Sequence, residues 1–143
     1  MLYAAYGSNL NFNQMDYRCP GAKFLGATTI EGWKLQFNTF LTVVPDSNSL
    51  VPLGIWEIDD KNLKSLDRYE GYPDFYRKET ITVVLNGKEV EVIWYIMNDV
   101  RRISPPSQFY LSGVKEGYKD CGMLEYLKYL DTAVSEVIEA IHK

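Results

Sequence analysis

Two β-rich runs, Tyr76–Leu85 and Lys88–Met97, are joined by Asn86-Gly87. No other stretch of the chain restricts the fold as much. Asn-Gly between two such runs reads as a type I′ turn, whose central residues both need positive φ, so the segment is an antiparallel hairpin. Before it, Leu2–Tyr6 reads as a short buried strand stopped by Gly7. Asn11–Arg18 reads as a short helix ended by Cys19-Pro20-Gly21. Ala22–Phe40 alternates aromatic, β-branched and polar residues around Gly26 and Gly32, giving two strands or one bent strand. Pro45–Ser49 reads as a loop and Leu53–Ile58 as a strand. Asp59-Asp60 caps a helix over Lys61–Tyr69, with Leu63 and Leu66 facing inward and Glu70-Gly71-Tyr72-Pro73 as its stop. After the hairpin, Ser104-Pro105-Pro106-Ser107 opens a helical stretch containing Tyr110, Leu111, Val114 and Tyr118. Leu124–Ile141 reads as an amphipathic helix whose packing stripe is Leu124, Leu127, Leu130, Val134, Val137, Ile138 and Ile141. Strands, helix, hairpin, helices is an α+β order with a mostly antiparallel or mixed sheet, not a series of βαβ units. At 143 residues, without linker, repeat or low-complexity tract, residues 1–143 read as one domain.

Charge and residue counts exclude several kinds of function. The net charge is −4, and phosphate binding needs a concentrated basic face, so nucleic acid is not an expected partner. No apolar run approaches the ~20 residues of a membrane span, and no basic amphipathic stretch suits a membrane surface. The start MLYAAYGSN lacks the basic and apolar regions of a secretion signal. Cys19 and Cys121 lie far apart, without ligand-like or CxxC spacing, which predicts a reducing, cytoplasmic setting. The single histidine, His142, is the penultimate residue, where fraying prevents precise geometry. Ser–His–Asp and Cys–His chemistry and His-bound metal sites are therefore not expected, and neither metal nor cofactor is assigned. Proton transfer falls to Asp, Glu, Lys, Tyr or Cys. Eleven tyrosines, six phenylalanines and three tryptophans supply apolar walls, many with hydroxyls, which suits a pocket for a small polar ligand. A homodimer through exposed aromatics is compatible with this composition, though no residue marks an interface.

Two segments carry candidate chemistry. The first is Tyr6-Gly7-Ser8-Asn9-Leu10, between a buried strand and a helix. Gly7 permits positive φ or close ligand approach, and consecutive amides at Ser8, Asn9 and Leu10 can form an anion nest or oxyanion hole. Ser8 or Asn9 can equally act as a plain helix cap. The loop has too few glycines, and lacks the lysine, to be a phosphate loop. The second is Leu66-Asp67-Arg68-Tyr69-Glu70-Gly71-Tyr72-Pro73, which puts Glu70 at a helix C-terminus. The negative end of the dipole and desolvation by Tyr69 and Tyr72 both raise a carboxylate's pKa and make it a better base. The plain alternative is a solvated Glu at an ordinary helix stop.

Together the segments resemble the γ-glutamylcyclotransferase and AIG2-like superfamily. A YGSN loop after the first strand is followed by LDRYEGYPDFYRKE with its Glu-Gly, by Tyr76-Arg77, by a hairpin holding Tyr95, by the Ser-Pro-Pro-Ser turn and by Tyr110. The ordered set covers nearly the whole chain. YGSN and the Pro-Pro-Ser turn resemble the glutathione-pathway branch in particular. The resemblance implies a small mixed or antiparallel β-barrel flanked by helices. It implies conversion of a γ-glutamyl compound to 5-oxoproline plus a free amine, with Glu70 as the proton-transfer base. It also implies that Tyr6, Gly7, Ser8, Asn9 and Leu10, with Tyr76, Tyr95 and Tyr110, contact the substrate, the three tyrosines through their hydroxyls. The alternative on the same fold is a γ-glutamylamine cyclotransferase or an enzyme removing a γ-glutamyl group during antibiotic biosynthesis, and the alternatives of other classes are a non-catalytic γ-glutamyl-binding module and an acidic interaction domain.

Overall fold

The computed structural model describes residues 1–143. β1 (Leu2–Ala5) leads through a 3₁₀ turn (Ser8–Leu10) to α1 (Phe12–Arg18). Two long strands follow, β2 (Lys23–Asn38) and β3 (Phe40–Glu57), then α2 (Asp60–Glu70). The hairpin is β4 (Tyr76–Leu85) and β5 (Lys88–Met97); Asn86 and Gly87 take φ 52° and 80°, the positive values a type I′ turn requires. α3 (Gln108–Asp120) and α4 (Leu127–Ile141, entered through a 3₁₀ turn over Leu124–Tyr126) complete the chain.

The sheet has the order β2-β3-β1-β5-β4. Central β1 pairs antiparallel with β3 and parallel with β5, so the sheet is mixed. It curls until its two edge strands approach: the Thr28 hydroxyl of β2 donates to the Val84 carbonyl of β4. No ladder joins those edges, so the barrel is curled rather than closed. The buried apolar residues of both faces and of the helices form one continuous cluster.

Three local readings need correction. Pro45–Ser49 is not a free loop; it lies inside β3. Trp33 pairs with Pro45 and Glu31 with Leu50, so Asp46–Ser49 oppose Gly32 alone and bulge from the ladder. The turn-forming residues were legible, but the strand resumes after them. The stripe of α4 is shorter than its periodicity suggests. Leu130, Ala133 and Val137 are its buried seam, packed toward β2, while Leu124, Ile138 and Ile141 are each about half exposed. Leu124 sits in the 3₁₀ turn, whose rotation per residue differs from that of the helix, and the last turn lies at the chain end. β1 ends at Ala5, one residue before the expected Tyr6.

The elements that build the site are fixed by short-range chemistry. Asp59 caps α2: its Oδ1 accepts from Asn62 N at 2.8 Å, and Asn62 Oδ1 accepts from Asp59 N at 3.1 Å. Gly71, at φ 65°, ends the helix, with Gly71 N donating to Arg68 O and Tyr72 N to Asp67 O. Ser65 Oγ donates to Arg18 O at 2.7 Å and Asn62 Nδ2 to Pro20 O at 3.3 Å, which docks α2 against the end of α1.

Candidate active site

β1, the loop after it, the start of β3, the end of α2 and the hairpin converge on one cavity of about 190 Å³. Tyr6, Gly7, Ser8, Asn9, Glu70, Tyr76, Tyr95 and Tyr110 all line it. Leu10 does not; it is fully buried behind the loop. Its amide donates to Gly7 O at 3.0 Å, so Leu10 N is not the third donor of a nest.

Leu10 shapes the loop from behind. α3 lies directly on this turn: a Cβ at Gly117 would stand 2.7 Å from Asn11 N and from Leu10 backbone. Cys121 Sγ donates to Leu10 O at 3.3 Å, Asn11 Nδ2 to Gly113 O at 3.1 Å, and Phe12 N to Asp120 Oδ2 at 2.9 Å. Asn11 is the cap of α1, its Oδ1 accepting from Gln14 N, so the loop residues before it are free of that task. Ser8 Oγ instead meets Tyr69 Oη at 2.9 Å, and Asn9 Nδ2 donates to Tyr3 Oη at 3.0 Å. The backbone N–H groups of Tyr6, Gly7, Ser8 and Asn9 have no partner within the protein. Four successive unpaired donors beside a cavity are suited to an anionic or carbonyl oxygen. Gly7 has φ −124°, so positive φ is not why glycine stands there. Space is: a Cβ would lie 3.1 Å from Tyr110 Oη and 3.6 Å from Leu41 Cβ.

The opposite wall is made of side chains. Glu70 is the last residue of α2, half-buried, and its carboxyl makes no hydrogen bond or ion pair to the protein. Burial pushes its pKa up to about 7, with Arg18 pulling the other way. Arg18 stands behind the wall: its guanidinium covers the Tyr69 ring, 3.4 Å from the centroid, and donates to Asn9 Oδ1. Tyr72, expected beside Glu70, lies instead under Lys78 and outside the cavity.

The tyrosines face the cavity with rings more than with protons. Tyr6 Oη donates to Tyr95 O at 2.6 Å, and Tyr76 Oη to Leu41 O at 2.8 Å. Tyr95 Oη donates to Asp67 Oδ1 at 2.6 Å, and Asp67 is also ion-paired with Lys78 at 3.0 Å. Tyr110 Oη accepts from Leu41 N at 3.1 Å, so its own proton stays free. Burial moves all four hydroxyls well above the ordinary phenol range, so none is a base near neutral pH. Tyr3, Phe40, Leu41 and Phe75 also line the cavity and were not marked by any local motif. Both cysteines are free and buried, their thiols pushed up to about 11 (Cys19) and about 12 (Cys121). No helix is long and apolar enough to cross a membrane.

The fold is that of a cyclotransferase. The chain superposes on a solved gamma-glutamyl cyclotransferase with TM-score 0.82 at 30% identity, covering 91% of this chain and 85% of that one. In sequence it is 32% identical to gamma-glutamylcyclotransferase of Bos taurus over 165 aligned positions, 99% of this chain and 87% of the bovine one. The Homo sapiens gamma-glutamylcyclotransferase is 30% identical with the same coverage. Residues 3–113 match the family described as gamma-glutamyl cyclotransferase, AIG2-like, and the chain belongs to that family.

Proposed function

We propose that this enzyme is a γ-glutamylcyclotransferase whose proton-transfer base is Glu70 and whose oxygen-binding donors are the amides of Tyr6–Asn9. It converts a γ-glutamyl amino acid or amine to 5-oxoproline and the free amine. The observation that carries the residue roles is one cavity with a single carboxylate, its pKa raised to about 7, and four unpaired amides.

The substrate supplies its own nucleophile. Its α-ammonium gives a proton to ionised Glu70, and the amine lone pair attacks the γ-carbonyl carbon. Closing the ring is intramolecular, so the cavity's main task is to hold the folded conformer. Charge gathers on the former carbonyl oxygen, which the loop amides or the Tyr110 hydroxyl can meet, while remaining amides hold the α-carboxylate. Collapse of the intermediate breaks the bond to the leaving nitrogen, which takes the proton back from Glu70; the second proton of the ring nitrogen then passes by way of Glu70 to the freed amine, so that a lactam N–H and an ammonium leave the site. No water is consumed, and Glu70 returns to its starting state. A carboxylate near pKa 7 is well matched to both halves of that exchange.

The cavity lining contains no histidine, no cysteine and no second carboxylate, which supports a metal-independent reaction. The two free thiols suit a reducing, cytoplasmic compartment, and the motif likeness to the glutathione-pathway branch supports a place in γ-glutamyl turnover. Incubation with γ-glutamyl conjugates, assayed for 5-oxoproline, tests the reading. Product is expected at an equal rate before and after exhaustive chelation. Loss of product on chelation, restored by one divalent ion, would refute the metal-independent scheme.

A further inference from the structure

The cavity's aromatic residues fall into two sets. The inner tyrosines, Tyr6, Tyr76 and Tyr95, are 6%, 5% and 2% exposed. Phe40, Tyr69 and Phe75 line the same cavity yet are 44%, 43% and 48% exposed. They come from three places: the first residue of β3, the last turn of α2 and the segment between α2 and β4. Residues that touch the cavity and solvent together form its mouth.

Each mouth ring is held from behind. Phe40 packs edge-on against Tyr110, with centroids 5.4 Å apart and planes at 74°. The tip that carries it is tied down, since Thr39 N donates to Ser104 O at 3.0 Å and Ser104 N to Phe37 O at 3.1 Å. Phe75 packs against Tyr76 in the same way, at 5.1 Å and 72°. Tyr69 is fixed by the Arg18 guanidinium on its ring and by Ser8 Oγ at its hydroxyl. Three positioned rings left uncovered are a preformed apolar contact surface, whose ordering is already complete before binding.

The rest follows from size and charge. About 190 Å³ lies below the ~300–1,000 Å³ of sites that enclose a whole drug-sized ligand. On the cyclotransferase reading the glutamyl group lies beside Glu70 and the loop amides, and the leaving nitrogen points outward so that it can depart. Whatever that nitrogen carries therefore lies among Phe40, Tyr69 and Phe75. The lining holds no Lys, Arg or His, and the one cation against the collar, Arg18, is engaged behind it, its guanidinium laid on the Tyr69 ring and donating to Asn9 Oδ1.

The geometry points to γ-glutamyl conjugates of amines bearing a bulky apolar side chain as the substrate class of this site, with Phe40, Tyr69 and Phe75 as the specificity collar. This rests on the cyclotransferase reading above. Two sources share that chemistry, an apolar amino acid and its decarboxylated amine, and the collar accepts both because no cationic side chain lines it and Arg18 is already engaged behind Tyr69.

The test measures kcat/KM for 5-oxoproline release from γ-glutamyl conjugates of glycine, glutamate, phenylalanine and phenethylamine. Both phenyl-bearing conjugates are expected to exceed the glycine and glutamate conjugates by roughly 10-fold or more, and to lie within a few-fold of each other. Phe40→Ala and Phe75→Ala should each pull the phenylalanine-to-glycine ratio toward one, while Phe75→Leu keeps most of it. Circular dichroism checks that each variant is folded. Equal kcat/KM across the wild-type panel, or a preference for glycine or glutamate, overturns the collar and leaves the cyclotransferase reading standing. Release of 5-oxoproline from none of the four sinks that reading and the collar together.

Discussion

The cavity's two walls are built from different materials. The Tyr6–Asn9 side offers backbone amides, held by Leu10, Asn11 and α3 from behind. The α2 side offers one carboxylate among aromatic rings, held by capping at Asp59 and Gly71 and by the Asp67 contacts to Tyr95 and Lys78. Backbone donors survive side-chain substitution and fail when space is lost. A carboxylate fails when its chemistry changes, even if its volume is kept. The two walls should therefore respond to opposite kinds of mutation.

The largest effect belongs to the side-chain wall. Glu70→Gln keeps the shape and removes the base, and should lower kcat by roughly 10²–10⁴-fold. Its stability should change with a definite sign. A carboxyl whose pKa rises from about 4.5 to about 7 on folding penalises the folded state as pH climbs through that range. The glutamine protein escapes the penalty, so above pH 7 it should be the more stable by on the order of 1–3 kcal/mol, with the gap closing as pH falls toward 4. Thermal melts at pH 5 and pH 8 measure this; a lower melting temperature for the glutamine protein at pH 8 would contradict the buried setting of Glu70.

On the backbone wall the order of sensitivity reverses. Gly7→Val brings branched carbons into the space 3.1 Å from Tyr110 Oη and should cost on the order of 10²-fold in kcat/KM through misplacement of the loop. Ser8→Ala keeps its amide and loses only the contact to Tyr69, so a few-fold loss is expected. If the alanine protein is the worse of the two while folded, the serine hydroxyl rather than the amides does the binding. Tyr95→Phe should act chiefly on stability, about 1.5–3 kcal/mol in chemical denaturation, because its proton is donated to the charged Asp67. A kcat loss near that of Glu70→Gln, with stability intact, would give that proton to the substrate instead.

The same division decides what the sequence reveals. The side-chain wall was legible because its signals are local. Asp59-Asp60, the Leu63/Leu66 spacing and Glu70-Gly71 mark a capped helix, and a Glu at its end is visible without a structure. The hairpin was legible for the same reason, since Asn86-Gly87 determines its own turn. The backbone wall was legible only in outline. Gly7 and the helix start were apparent, but a 3₁₀ turn buries Leu10 and takes its amide, which no pattern over five residues conveys. Tyr3, Phe40 and Phe75 reach the cavity through the order β3-β1-β5-β4 and the curl of the sheet, pairings between residues far apart in the chain. Of the two features at Pro45–Ser49, the turn residues show locally, whereas resumption of β3 depends on its partner β2.

The central claim is that Glu70, held near pKa 7 at the end of α2, takes the proton that starts the reaction. The dependence of kcat/KM on pH for 5-oxoproline release tests it most directly. The account predicts a rate that falls about tenfold per pH unit below a midpoint near 7, where Glu70 becomes protonated, and levels off just above it. A profile that stays flat between pH 5 and pH 8 in a folded protein would contradict it.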